Sequence, residues 1–151
     1  MKTMTGDLVH LAKSGEFDLI VHGCKCFCTI GAGIAKGIKA VSPAACDADH
    51  ATAKGDRSKL GTCTFAVIDQ NRTPLVVVNA YTQFDYQDRG PKVDYDAVGS
   101  CFRWISEQHS GTRIKLPKIV AGLAGGNWVR IAVIIEKELA GEDVTLVELT
   151  P

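Results

Sequence analysis

His22, Cys24, Cys26 and Cys28 alternate along one short stretch, and Gly31-Ala32-Gly33 follows just beyond it. An imidazole and three thiols are potential metal ligands. Zinc pairs, however, usually sit as C-x2-C with a distant second pair, and Cys46, Cys63 and Cys101 are single and scattered. No metal site is expected, and the cysteines read as small residues lining a crowded loop. The glycine pair carries different chemistry. Glycines let backbone N–H groups approach phosphate oxygens, and a helix that starts there adds its positive end. A second such stretch, Gly122-Leu123-Ala124-Gly125-Gly126, leads into Asn127-Trp128. Neither stretch has the Lys-Ser/Thr of a P-loop or a full dinucleotide fingerprint, so ATPase and Rossmann dehydrogenase readings are not supported. Packing alone could explain one glycine turn. Two turns of phosphate size, each opening a helix, point to a nucleotide-like ligand.

The elements that must position these turns alternate along the chain. Lys2 to Met4 reads as a short strand and Asp7 as the start of a brief helix with apolar Leu8, Val9, Leu11 and Ala12. Phe17 to His22 reads as a strand covered on both faces, since Leu19, Ile20 and Val21 run without a polar break. Ile34, Ala35 and Ile38 give a helical stripe; Ser42-Pro43 is an N-cap and first-turn proline, predicting a helix to about Ala53. Gly61 to Ile68 and Pro74 to Ala80 read as an antiparallel hairpin. Val93, Ala97, Val98, Cys101, Phe102 and Ile105 follow helical spacing. Ile114 to Ile119 reads as a strand, Trp128 to Leu139 as a helix, and Val144 to Leu149 as the last strand. The sum is one three-layer α/β/α domain with a mixed sheet of about six strands. Three glycine-bearing loops, Gly23 to Gly33, the stretch around Gly90, and Gly122 to Gly126, can then face one crevice at the carboxyl ends of the strands.

Bulk properties restrict the partners. The 151 residues are 46% hydrophobic and 23% charged, enough for one core. Lys plus Arg equal Asp plus Glu at 17 each, so no net field attracts nucleic acid or an anionic membrane. An anion must be held by local geometry. The start of the chain lacks the apolar core of a signal peptide, and no apolar run approaches the length of a membrane span. A cytoplasmic location, free thiols, a monomer and no cofactor are expected.

Taken together, Gly6-Asp7, His22-Gly23-Cys24-Lys25-Cys26, Gly31-Ala32-Gly33-Ile34-Ala35, Asn79-Ala80-Tyr81-Thr82-Gln83, Leu116-Pro117-Lys118-Ile119 and Gly122-Leu123-Ala124-Gly125 resemble a macro domain over nearly the whole chain. The resemblance is nearest to the small single-domain branch that includes yeast ADP-ribose-1''-phosphate phosphatase and human terminal ADP-ribose glycohydrolase. It implies ADP-ribose or a derivative as ligand, with an ADP-ribosylated protein as a possible partner. By position, Asp7 would accept from the adenine amino group, though it also reads as a helix N-cap. Gly31, Ala32, Gly33, Ile34 and Ala35 would hold the diphosphate and distal ribose from one side. Gly122, Leu123, Ala124, Gly125 and Gly126 would close over it from the other. His22 would be the general base.

The chain departs from the family pattern at several places. Lys25 stands where relatives place an asparagine that binds the distal ribose, Val120 where a glycine is expected, and Asn127 where aspartate is frequent. Ala80-Tyr81 and Ala124 replace the lysine and aspartate of the glycohydrolase relatives, and Val147 replaces an aromatic beside the adenine. The acids that could assist His22 are Asp85, Asp88 and Asp94. Two functional classes follow: a hydrolase acting on ADP-ribose-1''-phosphate or on ADP-ribosylated side chains, and an ADP-ribose-binding module without turnover. A related nucleotide held in an altered pocket is a third reading.

Overall fold

The computed structural model describes residues 1–28, 34–70, 73–84, 93–117 and 126–149. The elements are β1 (Lys2–Gly6), α1 (Leu8–Lys13), β2 (Leu19–Lys25), α2 (Ile34–Val41), α3 (Pro43–His50), β3 (Cys63–Gln70), β4 (Thr73–Gln83), α4 (Tyr95–Gln108), β5 (Arg113–Pro117), α5 (Trp128–Glu138) and β6 (Asp143–Leu149). The six strands form one sheet in the order β1-β6-β5-β2-β4-β3. Every adjacent pair is parallel except β3 with β4, the expected hairpin. The expected mixed sheet in a three-layer α/β/α domain is what the chain forms.

Strand alternation divides the core between two faces. Leu19 and Val21 of β2, Ile114 and Leu116 of β5, and Val144 and Leu146 of β6 pack against Val98, Cys101, Phe102 and Ile105 of α4 and Ile131 and Ile135 of α5. The i, i+3, i+4, i+7 spacing in α4 is the stripe legible in the sequence. Phe102 is fully buried in it and contributes about 1.5–3 kcal/mol by removal from water. On the opposite face, Ile20, Leu75 and Val77 meet Ala12 of α1, Ile38 and Val41 of α2, and Ala45 of α3. The helices start at side-chain caps. Ser42 Oγ accepts from Ala45 N at 3.0 Å, with Pro43 in the first turn. Asp94 Oδ1 accepts from Ala97 N at 2.9 Å.

Several boundaries differ from the sequence reading. β2 starts at Leu19 and continues to Lys25, because Gly23, Cys24 and Lys25 go on pairing with Ala80, Tyr81 and Gln83 of β4. Gly23 signals a turn locally, but the ladder beside it carries the strand through. Residues 23–25 therefore belong to the sheet and not to the first glycine loop. Val93 lies ahead of α4 in an isolated bridge to Gln83, and α3 ends at His50 with Ala51 as its C-cap. All six cysteines are free thiols.

Candidate functional site

Adjacent strands β5 and β2 send the chain to opposite faces of the sheet. After β2 it enters α2, on the face of Ile20 and Val77; after β5 it enters α5, on the face of Leu19 and Leu116. Neighbouring parallel strands whose connections diverge leave a crevice outside their carboxyl ends, where ligands of open α/β sheets bind. The carboxyl ends at this edge are Gly6, Lys25, Gln83, Pro117 and Leu149. Of the residues singled out in the sequence, Gly31, Ala32, Gly33, Gly122, Leu123, Ala124 and Gly125 lie outside the described residues, as do Asp85, Asp88 and Val120. Ile34 and Ala35 open α2.

The described part of the edge is built from strand ends and helix caps. Asp7, exposed, follows β1 directly and caps α1, its Oδ1 accepting from His10 N at 2.9 Å. Gly126 precedes α5, where a Cβ would come within 2.8 Å of Val93 Cγ1 and 3.1 Å of Ile131 Cδ1; glycine is needed for this approach. Asn127 caps α5, accepting from Arg130 N at 3.4 Å while its own N–H donates to Tyr95 Oη at 3.0 Å. Lys25 is half-buried and level with Gln83, the register shifting between Cys24 and Lys25. Cys28, the last described residue before α2, has φ +56, a left-handed backbone uncommon for a side-chain-bearing residue. Its thiol is held by Asp49 O at 3.3 Å, Thr52 Oγ1 at 3.4 Å and the Lys59 ammonium at 3.6 Å.

His22 sits deeper. Its ring is fully buried, and Nε2 lies 2.6 Å from Asn79 Oδ1. The Asn79 amide nitrogen donates to Ala45 O at 2.9 Å and Thr64 Oγ1 at 3.1 Å, so Oδ1 is the acceptor and His22 Nε2 carries the proton. Burial lowers the imidazole pKa, the Asn79 bond and the Asp49 charge opposing it in part. Cys24 Sγ is 3.7 Å from the ring, and burial pushes its thiol well up. Cysteine, histidine and asparagine are thus assembled, but enclosed and with the cysteine held as neutral thiol, a state that binds the sheet to α3 rather than attacks a substrate. Tyr81 Oη donates to the buried Asp49 Oδ1 at 2.7 Å in the same layer. Asp94 is spent on the α4 cap, and Val147 is fully buried against Leu11 and Phe17.

Two residues without a role in the sequence reading stand out by their surroundings. Lys115 of β5 is fully buried, its ammonium 4.9 Å from the Phe17 ring centroid and without a hydrogen-bond partner among the described residues. Burial pulls its pKa from 10.5 down to about 8, against the opposing charges of Asp7 and Glu16. The signal for it was a cation set directly between Ile114 and Leu116 at the centre of a short strand. Gln83 ends β4 and is only 7% exposed, its Oε1 likewise unpartnered.

No family model matches the chain. An uncharacterised 17.5 kDa protein from the tk-vs intergenic region of Enterobacteria phage T4 is 31% identical over 156 residues, spanning 100% of this chain and 97% of that protein. A macrodomain protein from Streptomyces coelicolor superimposes with TM-score 0.72 at 23% identity, over 97% of this chain and 99% of that one. Thermosipho africanus DarTG in complex with ADP-ribose superimposes with TM-score 0.70 at 14% identity, over 99% of this chain and 42% of that one. At such identities the structural likeness carries the fold.

Proposed function

We propose that this chain, whose fold is that of a macrodomain, binds ADP-ribose or a close derivative. The observation that carries the reading is the crevice between β2 and β5, flanked at the same edge by Asp7 and Lys25. Its span favours a ligand longer than a mononucleotide. From β1 to β4 there are four strand spacings, about 19 Å at about 4.8 Å each. A base accepted by Asp7 at one end leaves room for a diphosphate across the switch point and a second sugar at the ends of β2 and β4. That DarTG, similar in fold, was solved in complex with ADP-ribose supports the assignment.

Binding without turnover is the favoured form of this reading. A general base must reach a water or the ligand, whereas His22 is enclosed with its ring on Asn79, Asp94 is a helix cap, and Asn127 is a neutral one. An ADP-ribosylated protein in the cytoplasm would be the natural occupant, bound by a monomer.

Calorimetric titration with ADP-ribose tests the proposal. Saturable heat at one site per chain is expected; no heat and no thermal shift at millimolar ligand would overturn it. Incubation with ADP-ribose-1''-phosphate and with glutamate-linked ADP-ribose tests the second part. Neither phosphate nor ADP-ribose should be released, and release that disappears in His22→Ala would establish the hydrolase instead.

A further inference from the structure

The six thiols differ in what their sulfurs meet. Cys24, Cys26 and Cys46 are buried, and the half-buried Cys28 has its sulfur on Asp49 O, Thr52 Oγ1 and the Lys59 ammonium. Cys63, at the start of β3, and Cys101, in the middle of α4, instead face each other. The Cys101 thiol donates to Thr62 O, the carbonyl next to Cys63, at 3.4 Å, and the Cys63 thiol reaches back to Cys101 O at 3.9 Å. The two sulfurs are themselves in hydrogen-bond contact.

Strand register and a glycine bring the two backbones this near. Cys63 pairs with Ala80 of β4, whose side chain lies in the core under α4 and α5, so the pairing turns Cys63 to that same face. Gly61, just ahead, lets the chain close on α4: a Cβ there would lie 3.3 Å from Ser100 Cβ and 3.6 Å from Ala97 Cα, and its φ of +84 suits glycine. Gly61 N donates to Tyr81 O at 2.8 Å and Tyr81 N to Thr62 O at 3.0 Å, which pins the entry to β3 against β4. Exposure separates the roles of the two thiols. Cys101 is fully buried, whereas Cys63 is half-buried on β3, the last strand of the sheet, within reach of a small solute. Contact with the Cys63 thiol, and burial, push the Cys101 thiol up, so Cys101 stands as a protonated partner and Cys63 is the sulfur an oxidant meets first.

We infer that Cys63 and Cys101 are a reversible redox pair, closing to a disulfide when hydrogen peroxide reaches Cys63. In a reducing compartment the resting state is the dithiol, and disulfides formed there are transient. The Cys63 sulfur attacks one peroxide oxygen: an S–O bond forms, the O–O bond breaks, and the released hydroxide leaves as water with the thiol proton. Cys63 is then a sulfenic acid. The Cys101 sulfur displaces its hydroxyl: the S–S bond forms, the S–O bond breaks, and the hydroxyl takes the Cys101 proton to leave as a second water. The two thiols together give up two electrons and the peroxide is reduced to water. A small thiol such as glutathione reopens the bond by exchange. Once closed, the bond ties the edge of the sheet to α4.

The test treats the full chain with a small molar excess of hydrogen peroxide, blocks the remaining thiols with N-ethylmaleimide and maps the digest by mass spectrometry. A peptide pair joined through Cys63 and Cys101, absent before treatment and reopened by dithiothreitol, is expected. Cys63→Ser should abolish it, and Cys101→Ser should leave Cys63 as a sulfenic acid that dimedone traps. Cys28→Ser, which removes the other half-buried thiol, should leave the link unchanged. The cross-link should raise the thermal midpoint by about 5–10 °C, since it joins residues 38 apart in the chain. Oxidation of Cys63 without a link to Cys101, or Cys63 joined to another cysteine or to a second chain, would overturn the inference. So would a midpoint no higher than that of the reduced protein, which would mean that the bond forms only by distorting the fold. The wild-type map decides the matter even where a serine variant fails to fold.

Discussion

Lys115→Met should make this protein more stable, in a pH-dependent way. The ammonium is fully buried on β5, 4.9 Å from the Phe17 ring centroid and with no hydrogen-bond partner among the described residues. Burial lowers its pKa from 10.5 to about 8. That gap of about 2.5 units, at 1.36 kcal/mol each, makes the charged form cost about 3 kcal/mol in the folded state. Methionine fills a similar volume without a charge, so a gain of about 1–3 kcal/mol is expected at pH 7. Below pH 8 both the folded and the unfolded chain hold the proton and the full cost is present. Between pH 8 and 10.5 the folded chain releases it first, so wild-type stability rises and the advantage of the variant shrinks. Urea unfolding of both proteins at pH 7, 8, 9 and 10 measures this, the difference between them cancelling the other titrating groups. A difference that does not change with pH, or a variant less stable than the wild type at pH 7, would refute the account of Lys115 as an uncompensated buried charge.

Gly126→Ala would drive a methyl to 2.8 Å from Val93 and 3.1 Å from Ile131, both buried. A loss of about 1–3 kcal/mol in urea unfolding is expected. Asp18 joins the starts of β2 and β5, accepting from Arg113 N at 2.7 Å and from its Nε and Nη2 at 3.0 Å each. The Arg113 bonds hold the carboxyl pKa below 3.8. The pair's stability is therefore complete above about pH 4 and lost as pH falls through the lowered value. Asp18→Asn should cost about 0.5–1 kcal/mol at pH 6, discounted for exposure, and should flatten the acid limb of the stability curve measured by urea unfolding.

The unmet groups place stability and site in tension. Lys115 and Asp49 Oδ2 lie within the layer under α1 to α3, while Thr82 and Gln83 end a strand at the candidate crevice.

How much of this was legible depends on the range of the signal. The alternation of elements, the hairpin, the α4 stripe and the caps at Asp7, Ser42 and Asn127 are local matters, set by side-chain period and by which residues satisfy helix-end N–H groups. They could be read directly. The end of β2 could not, since Gly23 is a turn signal on its own and a strand residue only beside β4. His22 looked like a base because imidazole chemistry is visible in a residue name and enclosure is not. The same limit hid the enclosure of Lys115, which its neighbours in the fold and not in the chain impose.

By itself, then, the sequence determined the class of fold and the order of its elements. Tertiary structure decided that β6 inserts between β1 and β5 and that the connections after β2 and β5 leave on opposite faces of the sheet. It also decided which buried polar groups are met by partners among the described residues and which are not. Strand pairing joins residues remote in the chain, and solvent exclusion is a property of all the neighbours at once; neither is written in local periodicity.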